Sequence, residues 1–176
     1  MLLARALPLA LLAPTTGCPG PTCKVTPADV ETMLVVAGSD GAIVEIHDGT
    51  QVPLVAAPQG GHIILVGAKV RGADACMIDA TGALRDPATG RVIGLDERPL
   101  VLESIGGGWA QPEAPALSSM PNVAVCPTAA TTTSIDGNPF TLELTLVAAS
   151  TTIATLSATV TPSCGGDTSC HSECTL

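Results

Sequence analysis

Seven cysteines, Cys18, Cys23, Cys76, Cys126, Cys164, Cys170 and Cys174, are the residues of this chain best able to form a covalent cross-link or hold a metal. An odd count in an exported chain asks that one thiol have a fate other than an internal bridge. With Cys18 set aside, six remain and can pair completely, and an oxidising compartment makes disulfides their default state. The tail from Cys164 to Cys174 also gathers three thiols and His171, the donor types of a tetrahedral zinc site. Its Cys-x5-Cys-His-x2-Cys spacing is not that of a zinc ribbon, and adjacent Cys170 and His171 are awkward as co-ligands. Haem attachment needs Cys-x-x-Cys before the His. Bridges are therefore expected, with no metal and no cofactor.

The partners are less determined, because six cysteines allow fifteen connectivities. Cys76 and Cys126 lie in two apolar stretches that read as strands, so a bridge between them inside the domain is the expectation. Parity then ties Cys23 to one of Cys164, Cys170 or Cys174, while the other two close a small ring. Such a scheme would hold the end of the chain beside its beginning.

Other chemistry has little support. There is no Gly-x-Ser-x-Gly elbow, no His-Glu-x-x-His and no phosphate loop, and His47, His62 and His171 lie in unrelated places. His62 reads as a residue entering a strand beside a turn, and the expectation is a chain that is not an enzyme. Asp40, Asp48 and Asp136 each precede a glycine, but without an Asp-x-Asp-x-Asp-Gly loop they read as turns and not as calcium ligands. Acidic residues outnumber Lys and Arg by 16 to 7, a formal charge of −9 that repels nucleic acid and anionic lipid. No nucleic-acid partner is expected, and the oligomeric state stays open.

The elements that would position these residues read as β-structure. From Phe140 to Ala148 the large apolar residues alternate with Thr141, Glu143 and Thr145, and alternation resumes after Thr152 with Ala154, Leu156, Ala158 and Val160. A strand points successive side chains to opposite faces, so Pro139–Thr161 predicts a hairpin with one buried face. Ile63 to Arg71 is apolar on both faces at its start and amphipathic at its end, as in a strand that is central first and nearer solvent later. Leu142, Leu144, Leu146, Leu156, Val160, Ile64 and Val66 are the expected core. Aromatic residues are nearly absent, with Trp109 and Phe140 alone, so aliphatic side chains must fill the interior. No amphipathic helix of useful length follows residue 18.

Residues 1–17 carry Arg5 and then the apolar run Ala6 to Ala13, too short to span a bilayer but the length of a secretory h-region. Thr15-Thr16-Gly17-Cys18 resembles a bacterial lipobox: Gly17 and Cys18 match, while Thr15 stands where an aliphatic residue is usual. The resemblance implies that Cys18 is lipidated and becomes the mature N-terminus, with ordinary cleavage after Gly17 as the alternative. The expected organisation is a lipoprotein signal peptide at 1–17, a Pro/Gly-rich tether at 18–31, a β-domain at 32–163 and a cysteine-rich tail at 164–176.

Short strands punctuated by Asp-Gly turns resemble an immunoglobulin-like domain, which implies an all-β, antiparallel β-sandwich. Trp109 lies too far after Cys76 for an antibody domain, and without Tyr there is no tyrosine corner. The chain also resembles a loose group of exported bacterial lipoproteins in which a segment like Pro58-Gln59-Gly60-Gly61-His62 opens a long strand. That resemblance implies a lipid-anchored place in the bacterial cell envelope, at the outer membrane or cell surface, with the leaflet open. The membrane would be reached through the lipid anchor, and the domain would serve a structural or protein-interaction role. The alternative is a secreted carbohydrate-type binding module presenting Trp109 on its Gly106-Gly107-Gly108 loop.

Overall fold

The computed structural model describes residues 21–25, 30–113 and 117–175. The leader at 1–17, Cys18 and, of the rest of the expected tether, residues 19–20 and 26–29 lie outside the described residues. Among the described residues the chain order is β1 (Glu31–Ala37), β2 (Ile43–Glu45), β3 (Thr50–Pro53), β4 (Val55–Ala56), β5 (His62–Arg71), β6 (Cys76–Arg85), β7 (Val92–Gly106), β8 (Trp109–Pro112), β9 (Asn122–Cys126), β10 (Phe140–Ala148), β11 (Thr151–Ser163) and α1 (Thr168–Cys174). The described residues are mostly strand with one short helix.

The strands join in one sheet in the order β2-β1-β5-β8-β7-β6-β10-β11-β3, with β4 and β9 also paired to β5. The sheet is mixed and not purely antiparallel as expected: β3 runs parallel to β11 through Val160↔Thr50 to Ser163↔Pro53. A parallel pair cannot be made by a hairpin, and here the partners are more than a hundred residues apart, which no local pattern announces.

β10 and β11 form the expected hairpin, from Phe140↔Val160 to Ala148↔Thr151. Phe140, Leu142, Leu144, Leu146 and Ala148 are buried and the residues between them half-buried, as period-two alternation requires. The turn is only Ala149-Ser150, both at positive φ (47° and 66°). Two left-handed residues twist the backbone in the sense of the flanking strands, which suits a two-residue hairpin. A register shift beside Leu146 leaves Ile153 without an opposite residue. Ile153 is buried in consequence, and Leu156, expected in the core, is only half-buried. β3 pairs with β11 only from Val160 onward, so Leu156 sits where β11 has β10 alone as a hydrogen-bonded neighbour. The other six expected core residues are all buried.

β5 is the centre of the molecule. Residues 62–68 are buried without a break, because β1 and β4 flank one edge and β9 and β8 the other. β6 lies against β5 with no hydrogen bond between them. A Cβ built on Gly82 of β6 would stand 2.5 Å from Val66 Cγ1 and 3.0 Å from Val123 Cγ2. The sheet therefore turns over on itself, with Val66, Val123 and the β10 leucines between its two parts.

Candidate functional site

The six cysteines from Cys23 to Cys174 pair completely, but not as expected. The bridges are Cys23–Cys76, Cys126–Cys174 and Cys164–Cys170. The expected Cys76–Cys126 bond is absent: Cys76 opens β6 and Cys126 ends β9, each with a nearer partner. Cys23 does not reach the tail. It lies beside β6, where Met77 donates its N–H to Pro21 O and accepts from Cys23 N, both at 2.9 Å. Residues 21–23 are thus fastened to the sheet and are not a free spacer. The small local ring is present, as Cys164–Cys170.

The tail is held by two bridges and a set of hydrogen bonds. Asp167 caps α1 by accepting from Ser169 N (2.8 Å) and Cys170 N (3.2 Å), which satisfies two of the amides that a helix start leaves without partners. Hydrogen bonds from the Ser169 hydroxyl and from these two amides hold the Asp167 carboxyl below its ordinary range. Asp136 fastens the tail from the other side: one carboxylate oxygen accepts from Cys164 N at 2.9 Å and the other lies 2.6 Å from His171 Nδ1. Cys174 O accepts from Ile135 N at 2.8 Å. Asp136 does form its Asp-Gly turn, and it clamps the tail as well. Asp40 and Asp48 likewise each give a carboxylate oxygen to a backbone N–H, of Ala42 and Thr159.

Under α1 lies His62, only 3 % exposed. Its Nδ1 stands 3.0 Å from Glu173 Oε2. A carboxylate only accepts, so Nδ1 donates its proton to Glu173. Nε2 is buried without a hydrogen-bond partner, and the nearest carboxylate oxygen, Asp167 Oδ2, is 3.8 Å away. The sequence reading missed this environment, because Glu173 and Asp167 are more than a hundred positions away. The one local signal was the apolar run following His62. Cys170 and Cys174, one helical turn apart and both buried, place their sulfurs 3.7 Å from each other. The two tail bridges therefore touch.

His171, the histidine that the tail spacing offers as a metal ligand, is used differently. Nδ1 faces Asp136 and Nε2 faces Gly165 O at 3.0 Å, so both nitrogens are engaged by acceptors. Trp109 opens β8 and is half-buried, with the Arg71 guanidinium 5.9 Å from its ring centroid. Arg71 is in turn paired with Glu31 at 3.0 Å, so one face of the ring is covered by an anchored side chain.

A second polar cluster joins β7 to β9. Arg98 donates through Nε to Asp96 Oδ2 (2.5 Å) and through Nη2 to Oδ1 (3.0 Å), and Asn122 N donates to Asp96 Oδ2 at 2.7 Å. Arg98 also donates to Leu117 O, as does Asn122 Nδ2 at 2.8 Å. These residues line a groove of about 470 Å³ with Leu95 and Leu117 on its walls. Burial pushes the Asp96 carboxyl up, but the hydrogen bonds from Arg98 and from the Asn122 amide outweigh it and hold the carboxyl below its ordinary range. A depressed folded-state pKa contributes stability that is present above the unfolded value of about 3.9 and lost as pH falls from there through the folded value. Asp96→Asn is expected to lower the urea midpoint at neutral pH, and the gap from wild type to shrink at about pH 3. A gap that stays constant over that range would show that Asp96 titrates as in the unfolded chain.

No protein family, curated protein or solved structure matches this chain. No helix among the described residues is long and apolar enough to cross a membrane.

Proposed function

We propose that this chain is a lipid-anchored, extracytoplasmic bacterial lipoprotein whose β-domain is non-catalytic and serves a structural or protein-interaction role. The observation that carries the reading is the pairing of the cysteines. All six from Cys23 to Cys174 are consumed in three bridges, so Cys18 has no cysteine partner within the chain. Three bridges in one domain suit an oxidising compartment outside the cytoplasm. A remaining thiol directly after a short h-region and a Gly is the residue that lipidation would use. Because Pro21–Cys23 is fastened to β6, the anchor would hold the domain within a few residues of the membrane surface.

The domain is an immunoglobulin-like sandwich in this reading. The alternating β10–β11 hairpin, the approach of Val66 to Gly82 across the core and the Asp-Gly turns support it. Carbohydrate binding through Trp109 is the weaker reading, because Arg71 covers a face on which a sugar would stack. The test is fractionation of cells expressing the full chain. Wild type is expected in the membrane fraction and Cys18→Ala in the soluble fraction, with the same three bridges in both. Wild type recovered wholly as soluble protein would overturn the anchor.

A further inference from the structure

We infer that the paired tail bridges and His62 form a masked soft-metal site: when a dithiol opens Cys126–Cys174 and Cys164–Cys170, the thiolates and His62 Nε2 bind one zinc ion. Three observations converge on it. First, His62, Cys170 and Cys174 each offer a ligand atom, and these atoms lie within 4.8 Å of one another in a buried position. Second, the Cys170 and Cys174 sulfurs are 3.7 Å apart. Zinc–thiolate bonds of about 2.3 Å in a tetrahedron put neighbouring sulfurs roughly 3.8 Å apart, so this pair already spans one edge of a zinc site. Third, His62 has the arrangement that zinc-binding histidines adopt, with one ring nitrogen donating to a carboxylate and the other free for the metal. Here Glu173 holds Nδ1 at 3.0 Å, and Nε2 is buried without a hydrogen-bond partner, with Asp167 Oδ2 3.8 Å away.

Cys126 and Cys164 complete the donor set, since each is bonded to one of the two central sulfurs. Opening a bridge frees both its sulfurs, so Cys170, Cys174 and His62 hold the ion with one of these two as the fourth ligand. The chemistry balances with a dithiol as reductant. Each bridge takes two electrons and two protons from one dithiol, which leaves as its own cyclic disulfide, and zinc then displaces protons from the three ligating thiols. In the oxidised form the sulfurs are spent in S–S bonds and offer no thiolate. His171 takes no part, because both its nitrogens are engaged.

The experiment uses the full chain, oxidised or reduced by dithiothreitol and then freed of reductant without oxygen, and titrated with Zn²⁺ or Co²⁺ alone. The reduced protein is expected to bind one ion per chain, and Co²⁺ to show the intense absorption of a tetrahedral thiolate site. The oxidised protein is expected to bind none. His62→Asn, checked as folded in its oxidised form by its far-UV spectrum, is expected to lose at least tenfold in affinity and to shift the cobalt bands. Cys23→Ala/Cys76→Ala, which removes the bridge remote from the tail, is expected to keep the stoichiometry. A reduced chain that binds no ion, folded or not, would overturn the proposal. So would equal affinity in His62→Asn, which would mean binding by cysteines alone.

Discussion

Gly94→Ala is expected to destabilise the domain by about 3 kcal/mol or more, at the upper end of what overpacking costs. Gly94 lies in β7, paired with Leu84 of β6. A Cβ there would stand 1.9 Å from Ala124 O and 3.0 Å from Ala124 C, both backbone atoms of β9. A side chain can rotate away from such a contact, but a carbonyl held in a strand cannot. β9 is bound to β5 through Ile63↔Ala124 and Ile64↔Val123, so relieving the clash would pull at the centre of the core. Gly166→Ala is the control, because nothing lies within 4 Å of its Cβ position. Urea denaturation should show a large fall in midpoint for Gly94→Ala and almost none for Gly166→Ala. An unchanged midpoint for Gly94→Ala would show that β7 and β9 are not in this close contact.

Removing the Cys126–Cys174 bridge is expected to cost about 4 kcal/mol, the chain-entropy value for a loop of this size. The bridge spans 48 positions, whereas Cys164–Cys170 spans six and by the same reasoning contributes only about 2 kcal/mol. Cys126→Ala/Cys174→Ala should also loosen α1, since Cys174 is its last residue and its carbonyl accepts from Ile135 N at that end. Hydrogen exchange should then quicken at residues 168–175 while β10 stays protected. A loss below about 1 kcal/mol would mean that Asp136 and the Cys164–Cys170 ring hold the tail without this bridge.

The legible parts of the fold were those governed by local periodicity. The alternation in Phe140–Ala148 gave the hairpin, and the two-sided apolar run after His62 marked β5 as central, because each pattern is imposed by neighbours on known faces of a strand. Leu156 shares its face with the buried Ala158 and Val160, but it is only half-buried because β3 pairs with β11 only from Val160 onward, a long-range pairing that the alternation does not reveal. The parallel β3–β11 pairing and the bridge partners depend on contacts between distant parts of the chain. Cys23 pairs with Cys76 because Pro21–Cys23 lies along β6, and no spacing in the sequence encodes that. The helix at Thr168–Cys174 has a readable signal in Asp167, whose carboxylate caps the first turn, but within seven residues the one apolar pair at helical spacing, Cys170 and Cys174, is too short a pattern to mark a helix. The sequence neighbours of His62 show only a strand entry, whereas its surroundings, Glu173 and the two tail sulfurs, come from more than a hundred positions away.

The most direct test of the lipoprotein account is the intact mass of detergent-extracted protein, alkylated without prior reduction. The account predicts a chain that begins at Cys18, carries acyl chains and takes up no alkyl group, because all other thiols are paired. A chain without lipid that gains one alkyl group at Cys18 would contradict it.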